Sequence, residues 1–227
     1  MLQAGLLQGR RILITGGGSG LGLAMAHRFA ALGASLVLCG RRADVLDQAR
    51  DEVALHHGTS VEAIACDVRD ADAVHALFEQ VAQGGGIDVL VNNAAASFIA
   101  QTERLSARAA DAILAPTLHG ALYCTLEAGR RWVDANHPGV VLSILSTSTR
   151  TGRAFTVPSA MAKSALLAMT RSLAVEWGPR GIRCVAIAPW PFPTEGSTRG
   201  LDPTASRQPG STPRPNKIGR ASCRERV

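Results

Sequence analysis

The feature that most constrains this chain is a run with five glycines in seven residues, Gly16-Gly17-Gly18-Ser19-Gly20-Leu21-Gly22. It follows an apolar, β-branched stretch at Arg11–Thr15 and opens a stretch with apolar residues at helical spacing, Leu21–Leu32. A glycine turn between a strand and a helix points backbone N–H groups outward with no Cβ in the way, and the helix N-terminus adds its positive dipole end. Such a turn suits the phosphates of a dinucleotide, so we assign Gly16 to Gly22 as a cofactor-binding loop. The alternative is an ordinary tight turn.

The rest of the first 203 residues alternates short apolar runs with longer stretches of helical periodicity, such as Val74–Val81. Strands that alternate with helices indicate right-handed βαβ units, so the sequence predicts an α/β fold with a doubly wound parallel Rossmann sheet. Pro116 stands inside a helical stretch and should kink it locally. We predict six strands, at Arg11–Thr15, Ser35–Cys39, Val61–Cys66, Ile87–Val91, Val140–Ser146 and Ile182–Ala188.

Composition excludes several classes of protein. The chain has 227 residues, 46% of them hydrophobic, which is enough for the core of one domain of ordinary size. No apolar run approaches the roughly 18 residues of a membrane span. The five cysteines show no CxxC pairing, which favours a reducing, cytoplasmic location. The six histidines form no cluster with metal-ligand spacing, so we expect no metal site.

The net charge of +6 is concentrated at the C-terminal end. Residues 204–227 hold six basic residues and one acidic residue, whereas residues 1–203 hold 18 basic and 17 acidic ones. The nearly neutral body gives no reason to expect a nucleic-acid partner. Residues 204–216 lack any hydrophobic period and should be disordered, and the last ten residues resemble the translation of a sequencing adapter. We therefore interpret 1–203 as a truncated dinucleotide-binding domain and 204–227 as a non-native tail, with a natural basic tail as the alternative.

The residues that follow the second predicted strand bear on the choice of cofactor. An acidic side chain at this position would hold ribose hydroxyls and repel a 2′-phosphate. This chain has Arg41 and Arg42 instead, and two guanidinium groups suit bidentate recognition of a phosphate. The sequence therefore favours NADPH over NADH. Two solvated arginines at the start of a helix are the alternative.

Lys163 is the one lysine among the 18 basic residues of 1–203, the other seventeen being arginine. A compact ammonium group can donate to ribose hydroxyls in a way that a planar guanidinium cannot match. We interpret Lys163 as both a catalytic and a cofactor-binding residue. A chance surface lysine is the alternative.

Three motifs together resemble the short-chain dehydrogenase/reductase superfamily across Arg11–Pro203: the TGxxxGxG spacing, Asn92-Asn93-Ala94-Ala95 after the fourth strand, and Lys163. Further segments look like the NADPH-dependent 2,4-dienoyl-CoA reductases: Asn92–Ile99 followed by Thr102–Ser106, then Val157–Lys163 and Leu201–Pro203. The resemblance implies an oxidoreductase that reduces an unsaturated acyl-CoA thioester in fatty-acid β-oxidation. Two alternatives stay open: a superfamily member with another substrate, such as a 3-oxoacyl thioester, an alcohol or a ketone, and an inactive dinucleotide-binding fragment.

The resemblance also implies catalytic residues. Most of the superfamily uses Tyr-x-x-x-Lys, but here Ser159 stands four residues before Lys163 and the sole tyrosine is Tyr123. The dienoyl-CoA reductases also carry serine at that position, which argues against simple ketone–alcohol chemistry. Ser146 occupies the usual position of the catalytic serine, and Ser148 aligns with the tyrosine directed at the oxyanion. For each serine, a capping or turn role is the alternative.

Binding residues follow from the same resemblance. His119 replaces the asparagine that commonly supports the lysine, and Trp190 replaces a glycine beside the nicotinamide, where an indole should crowd the pocket. The superfamily also implies a homotetramer and a seventh strand, which we expect to be missing here. The remaining cofactor-binding positions are Asp67, Val68, Asn93, Ala94, Pro189 and Phe192. The acyl-CoA positions are Arg69, Ser97, Phe98 and Ser106.

Overall fold

Six parallel strands form one sheet in the order β3-β2-β1-β4-β5-β6 in the computed structural model, which describes residues 3–189. The sequence-based predictions for Trp190, Phe192 and residues 204–227 concern positions outside this range. The strand order reverses between β1 and β4, as in a doubly wound Rossmann sheet, so the predicted fold class is confirmed. The strands are β1 (Arg11–Thr15), β2 (Ser35–Gly40), β3 (Val61–Ala65), β4 (Val89–Asn92), β5 (Val140–Ile144) and β6 (Arg183–Ile187).

Helices cover both faces of this sheet, because alternate residues of a strand point to opposite faces. Ile12 and Ile14 of β1 pack with the helices of one face, and Leu13 packs into the cluster on the other. The first face carries α1 (Gly20–Ala30) and α2 (Ala43–His57). The second carries α3 (Ala71–Gln83), α5 (Gly120–Asp134) and α7 (Val157–Trp177), with the short helices α4 (Ala107–Leu114) and α6 (Ser148–Thr151) beside them.

The helical stretch around Pro116 departs from α-helical geometry, as predicted. Between α4 and α5, residues Ala115–His119 form a π-helical turn with the proline in its first turn. Proline has no N–H to give to the helix, so the ladder of hydrogen bonds is locally rearranged. Within residues 3–189, no helix combines the length and the apolarity that a bilayer crossing requires.

Candidate functional site

The glycine loop is fastened to the neighbouring strand by its first two residues. Gly16 has a φ of +66°, and its N–H donates to the carbonyl oxygen of Cys39 across 2.7 Å. The N–H of Gly17 donates to the same oxygen across 3.2 Å. Gly17 thus holds the loop in place, whereas Gly16, Gly18, Ser19, Gly20, Leu21 and Gly22 line the open side.

Gly22 lets the first turn of α1 lie directly against this loop. A Cβ built on Gly22 would stand 2.1 Å from the carbonyl oxygen of Gly16 and 2.8 Å from Nδ2 of Asn93. No side chain fits there without moving the backbone. The close approach positions the N-terminus of α1, with its unpaired N–H groups, over the mouth of the loop.

Thr15 and Asn93 join the loops that follow β1 and β4. The Thr15 hydroxyl oxygen accepts from the N–H groups of Asn93 and Ala94, both across 3.0 Å, and donates to the carbonyl of Val91. The Asn93 amide in turn donates to the carbonyl oxygens of Thr15 and Gly16, across 2.9 and 3.2 Å. The two strands at the reversal point of the sheet are thereby held as one rigid wall.

A cleft of about 530 Å³ opens above these loops, at the carboxyl ends of the strands. Ligands of doubly wound sheets bind at this point of strand-order reversal. Most of the predicted cofactor-binding residues line one wall or another of this cleft. From the predicted set, those beyond the glycine loop are Arg41, Arg42, Asp67, Val68, Asn93 and Ala94.

The two arginines after β2 are exposed at the cleft, and no ion pair is found for either within residues 3–189. Across the cleft, by contrast, the Asp67 carboxylate is held by Arg69, whose Nε donates to both of its oxygens across 2.9 Å. The hydrogen bond from Arg69 and, more weakly, the charge of Arg41 hold the pKa of Asp67 below its usual value. The guanidinium groups of Arg41 and Arg42 are therefore available to an anionic ligand where the cleft borders the end of β2.

Lys163 lies buried at the end of β5. Its Nζ donates to the carbonyl oxygen of Ile144 across 2.5 Å, and the residue is 6% exposed. Burial lowers the pKa of Lys163 to about 8. Lys163 is therefore a buried lysine with a fixed ammonium group, and not a lysine on the surface.

Two of the predicted catalytic serines contact each other. The hydroxyl oxygens of Ser146 and Ser148 are 2.8 Å apart, and the N–H of Ser148 also reaches Oγ of Ser146 across 3.3 Å. Both follow β5 directly, two and four residues beyond the carbonyl that Lys163 contacts. Ser159 lies one helical turn before Lys163 on α7 and is half-buried, and no hydrogen bond of its side chain is found among the described residues.

The loop that carries Ser97 and Phe98 is anchored on both sides of these residues. On one side, the N–H of Ala96 donates to the buried hydroxyl of Thr117 across 3.1 Å. On the other, the N–H of Ala100 donates to the carbonyl of Phe155 across 3.1 Å. Ser97 is exposed and Phe98 half-buried, so both remain available to a substrate.

Ser106 has a structural role. Its hydroxyl accepts from the N–H of Ala109 across 3.2 Å, which makes it the N-cap of α4.

Residues 10–202 match the family model described as short chain dehydrogenase. The chain belongs to the short-chain dehydrogenase family. An uncharacterized oxidoreductase of Caenorhabditis elegans is 44% identical over 198 residues, which cover 86% of this chain and 63% of that protein. A second protein of Caenorhabditis elegans, named as a probable (3E)-enoyl-CoA-producing 2,4-dienoyl-CoA reductase 3, is 40% identical over 87% of this chain and 64% of its own length. The chain thus spans a little under two thirds of these relatives.

Solved structures share the fold. A candidate NAD(P)-dependent gluconate 5-dehydrogenase from Beutenbergia cavernae, with NADP bound at low occupancy, superposes with a TM-score of 0.79 at 32% identity. The superposition covers 87% of this chain and 78% of that one. The predicted membership of the short-chain dehydrogenase/reductases, with its likeness to 2,4-dienoyl-CoA reductases, is confirmed.

The short-chain dehydrogenase family uses a nicotinamide dinucleotide, and the cleft fits one. At Gly16, Gly17 and Gly22 a Cβ would meet neighbouring atoms at 3.2 Å or less, so the backbone forms a cradle that only glycine allows. The N–H groups at the start of α1 would receive the diphosphate. Asp67 and Val68 form the wall that an adenine would contact, and Val68 can approach because Gly120 beneath it has no Cβ.

Sequence reasoning missed several residues of the cleft, as well as Thr15, which joins two of its loops. Thr15 had a usable signal, since it directly precedes the glycine run and a hydroxyl there can bind the next loop. Cys66 stands beside the predicted Asp67 but gave no chemical signal of its own. The others contribute apolar side chains or backbone, which no motif marks: Gly40, Val45, Leu46, Ala95, Ala96 and Pro116.

Proposed function

We propose that the protein is an NADPH-dependent reductase of unsaturated acyl-CoA thioesters, of the 2,4-dienoyl-CoA reductase type, acting in fatty-acid breakdown. The observation that carries the proposal is the absence of a tyrosine beside Lys163. The single tyrosine, Tyr123, lies on α5 against the buried cluster, and Ser159 stands in its place on α7. A serine hydroxyl is a poor proton donor to an alkoxide, whereas the reduction of a conjugated thioester does not require the protonation of an alkoxide.

NADPH supplies the hydride when it is bound in the cleft. Lys163, fixed by the carbonyl of Ile144, would orient the nicotinamide ribose by donating to its hydroxyls. The Ser146–Ser148 pair would donate a hydrogen bond to the thioester oxygen as negative charge develops on it. The returning proton would come from water, and Ser97 and Phe98 would border the substrate.

The cofactor preference rests on Arg41 and Arg42. Since neither is engaged by a carboxylate among the described residues, both are available to a 2′-phosphate. Replacing either with alanine should weaken NADPH binding by about 10- to 100-fold, because each charged hydrogen bond contributes about 1.5–3 kcal/mol. NADH binding should change little. Arg28→Ala, an exposed position on α1, is the matched control and should leave both affinities unchanged.

The decisive experiment offers trans-2,trans-4-dienoyl-CoA and a 3-oxoacyl-CoA separately, with NADPH and with NADH, and identifies the products by mass spectrometry. We expect NADPH oxidation with the dienoyl thioester and an enoyl-CoA product two hydrogens heavier than the substrate. Activity on the 3-oxoacyl thioester alone would favour the alternative of another short-chain reductase. Dinucleotide binding without turnover of either would favour the inactive fragment.

Three further predictions remain proposals. Arg69, exposed at the cleft edge, would contact the acyl-CoA, which requires its pairing with Asp67 to loosen. A homotetramer rests on family analogy alone. A cytoplasmic location is supported by the four free, buried cysteines of the described part, Cys39, Cys66, Cys124 and Cys184.

A further inference from the structure

Three thiols meet beneath the cleft. Cys39 on β2, Cys66 just beyond β3 and Cys124 on α5 belong to one buried cluster, and all three are free. Cys39 pairs in register with Ile64, and Cys66 lies two residues further along. Cys39 and Cys66 therefore project from the same face of the sheet, on neighbouring strands.

Only one of these thiols borders the cleft. Cys39 and Cys124 are 0% exposed, whereas Cys66 is 7% exposed and lines the cleft beside Asp67 and Val68. A small reagent that enters the cleft can thus reach Cys66 and neither of the other two.

The same arrangement favours the thiolate form of Cys66. The neighbouring Cys39 thiol lowers the pKa of Cys66, although burial and the carboxylates of Asp67 and Asp70 act in the opposite direction. The pKa of Cys39 is raised by its interaction with Cys66 and by burial, and that of Cys124 is raised by burial. Since the thiolate is the nucleophile, accessibility and protonation select the same residue.

We propose that Cys66 is a modification site for electrophilic alkenes conjugated to a carbonyl group, and that the adduct excludes the dinucleotide from the cleft. This inference rests on the proposed function, because the excluded ligand is the proposed cofactor. In the reaction, the sulfur lone pair forms a C–S bond at the β-carbon and the alkene electron pair moves to the carbonyl oxygen as an enolate. The α-carbon then takes a proton from water, the thiol proton having gone to solvent, so no oxidant is involved.

The geometry explains why an adduct and a dinucleotide would compete. A group attached to Cys66 extends from the cleft wall into the space of about 530 Å³ that the glycine loop, Arg41 and Val68 also border. That space is where the adenosine half of the cofactor would lie. A bound dinucleotide would in turn cover the thiol, so each should block the other.

The test treats the full chain with N-ethylmaleimide and follows each cysteine-containing peptide by mass spectrometry. Cys184 is the internal standard, because it is 8% exposed, lies outside the cleft, and has a pKa that burial raises to about 11. We expect Cys66 to react at least tenfold faster than Cys184, Cys39 and Cys124. Saturating NADPH should slow its reaction at least tenfold, and labelling should raise the Kd for NADPH at least tenfold.

Variants test separately whether Cys66 is the modified residue and whether its modification weakens NADPH binding. In Cys66→Ser the reagent should leave the NADPH affinity as it was before treatment, whereas Cys184→Ser should still lose affinity on labelling. Cys39→Ala removes the neighbouring thiol and should slow the labelling of Cys66 several-fold, with Cys39→Val as the substitute if the alanine variant does not fold.

Equal rates at Cys66 and Cys184, or a labelled protein with unchanged NADPH affinity, would overturn the proposal. If the untreated protein binds no dinucleotide, the proposed function fails and the exclusion fails with it. In that case, the labelling rate of Cys66 relative to the other cysteines still decides whether Cys66 is a modification site.

Discussion

Lys163 on α7 donates from Nζ to the backbone carbonyl oxygen of Ile144 across 2.5 Å, and this bond ties the long helix to the end of β5. The bond fixes the ammonium at the carboxyl end of β5. Burial lowers its pKa to about 8, compared with about 10.4 for an unperturbed lysine. The charge state of this one group should therefore control both the activity and part of the stability of the protein near neutral pH.

The first prediction concerns activity against pH. If the charged form of Lys163 orients the cofactor, kcat/KM for NADPH should fall as the pH rises through about 8. Lys163→Met should lose at least 100-fold in kcat/KM at pH 7, and its residual activity should lack the alkaline decline. Lys163→Arg keeps the charge but should recover little activity, since a planar guanidinium does not fit the site. A wild-type profile that stays flat to pH 9.5 would contradict this role.

The same pKa predicts how stability depends on pH. Because the folded-state pKa lies below that of the unfolded chain, folding disfavours the charged lysine, at a cost of about 3 kcal/mol that is complete below pH 8. As the pH rises from about 8 to about 10.4, this cost disappears and the native state gains stability. Urea unfolding of wild type and Lys163→Met should be measured at pH 7 and at pH 9.5. Between these pH values, the free energy of unfolding of wild type should rise relative to that of the variant. Parallel behaviour of the two proteins would refute the lowered pKa.

A separate prediction concerns the hydroxyl pair after β5. Ser148→Ala should lower kcat by about 10²- to 10³-fold with little change in KM, since an oxyanion donor acts mainly in the transition state. Ser146→Ala should cost a similar factor because it removes the partner 2.8 Å away, and the double variant should cost little more than either.

Steady-state kinetics with the dienoyl thioester tests the pair. Ser164→Ala, an exposed position on α7, should behave as wild type. Full activity of Ser148→Ala at unchanged melting temperature would assign both serines to the turn alone.

The sequence predicted those parts of the fold and site that depend on local pattern. β1 begins and ends where its apolar run does, at Arg11 and Thr15, and the glycine loop follows as predicted. The other strands differ from the prediction by one or two residues at one or both ends, because a strand ends where its neighbour stops pairing. Thus the fourth strand was predicted over Ile87–Val91, but it runs from Val89 to Asn92 in register with β5.

Features that depend on which side chains contact each other could not be predicted from the sequence pattern. The pairing of Asp67 with Arg69 decides which charges the cleft offers, and no motif distinguishes it from two solvated side chains. Pro116 indicated a kink, but nothing in the local sequence indicates that the Thr117 hydroxyl of the π-helical turn accepts from the N–H of Ala96. Which side chain pairs with which is determined by the folded structure and not by the local sequence.

Another prediction concerns the approach of α1 to the glycine loop. Gly22→Ala places a Cβ 2.1 Å from the Gly16 carbonyl oxygen, so the loop must move and the affinity for NADPH should fall at least tenfold. Gly178→Ala is the control, because a Cβ at that position meets nothing within 4 Å. Isothermal calorimetry of both variants measures the effect. Wild-type affinity in Gly22→Ala would show that the cradle does not bind the diphosphate.

A buried carboxylate between α3 and α5 provides the last test. Glu127 is 8% exposed, and it accepts from Arg131, from Arg130 across 3.1 Å and from His75 across 3.2 Å. Burial raises its pKa, but the hydrogen bonds from Arg131 and His75 outweigh burial, and the pKa lies below its usual value. The stabilisation is therefore complete above the unfolded-state pKa of about 4.3 and is lost as the pH falls below it.

Glu127→Gln should lower the free energy of unfolding by about 2 kcal/mol at pH 7, because Arg131 and its neighbours lose the charge that they pair with. Glu79→Gln is the matched control: this carboxylate also contacts Arg131, but its side chain is 59% exposed, and the variant should lose less than about 1 kcal/mol. Urea unfolding at pH 7 and pH 4 measures both. The gap between wild type and Glu127→Gln should narrow at pH 4, because the carboxylate of the unfolded chain begins to protonate there while the native one is still ionised. A gap that is independent of pH would mean that Glu127 acts through packing and not through its charge.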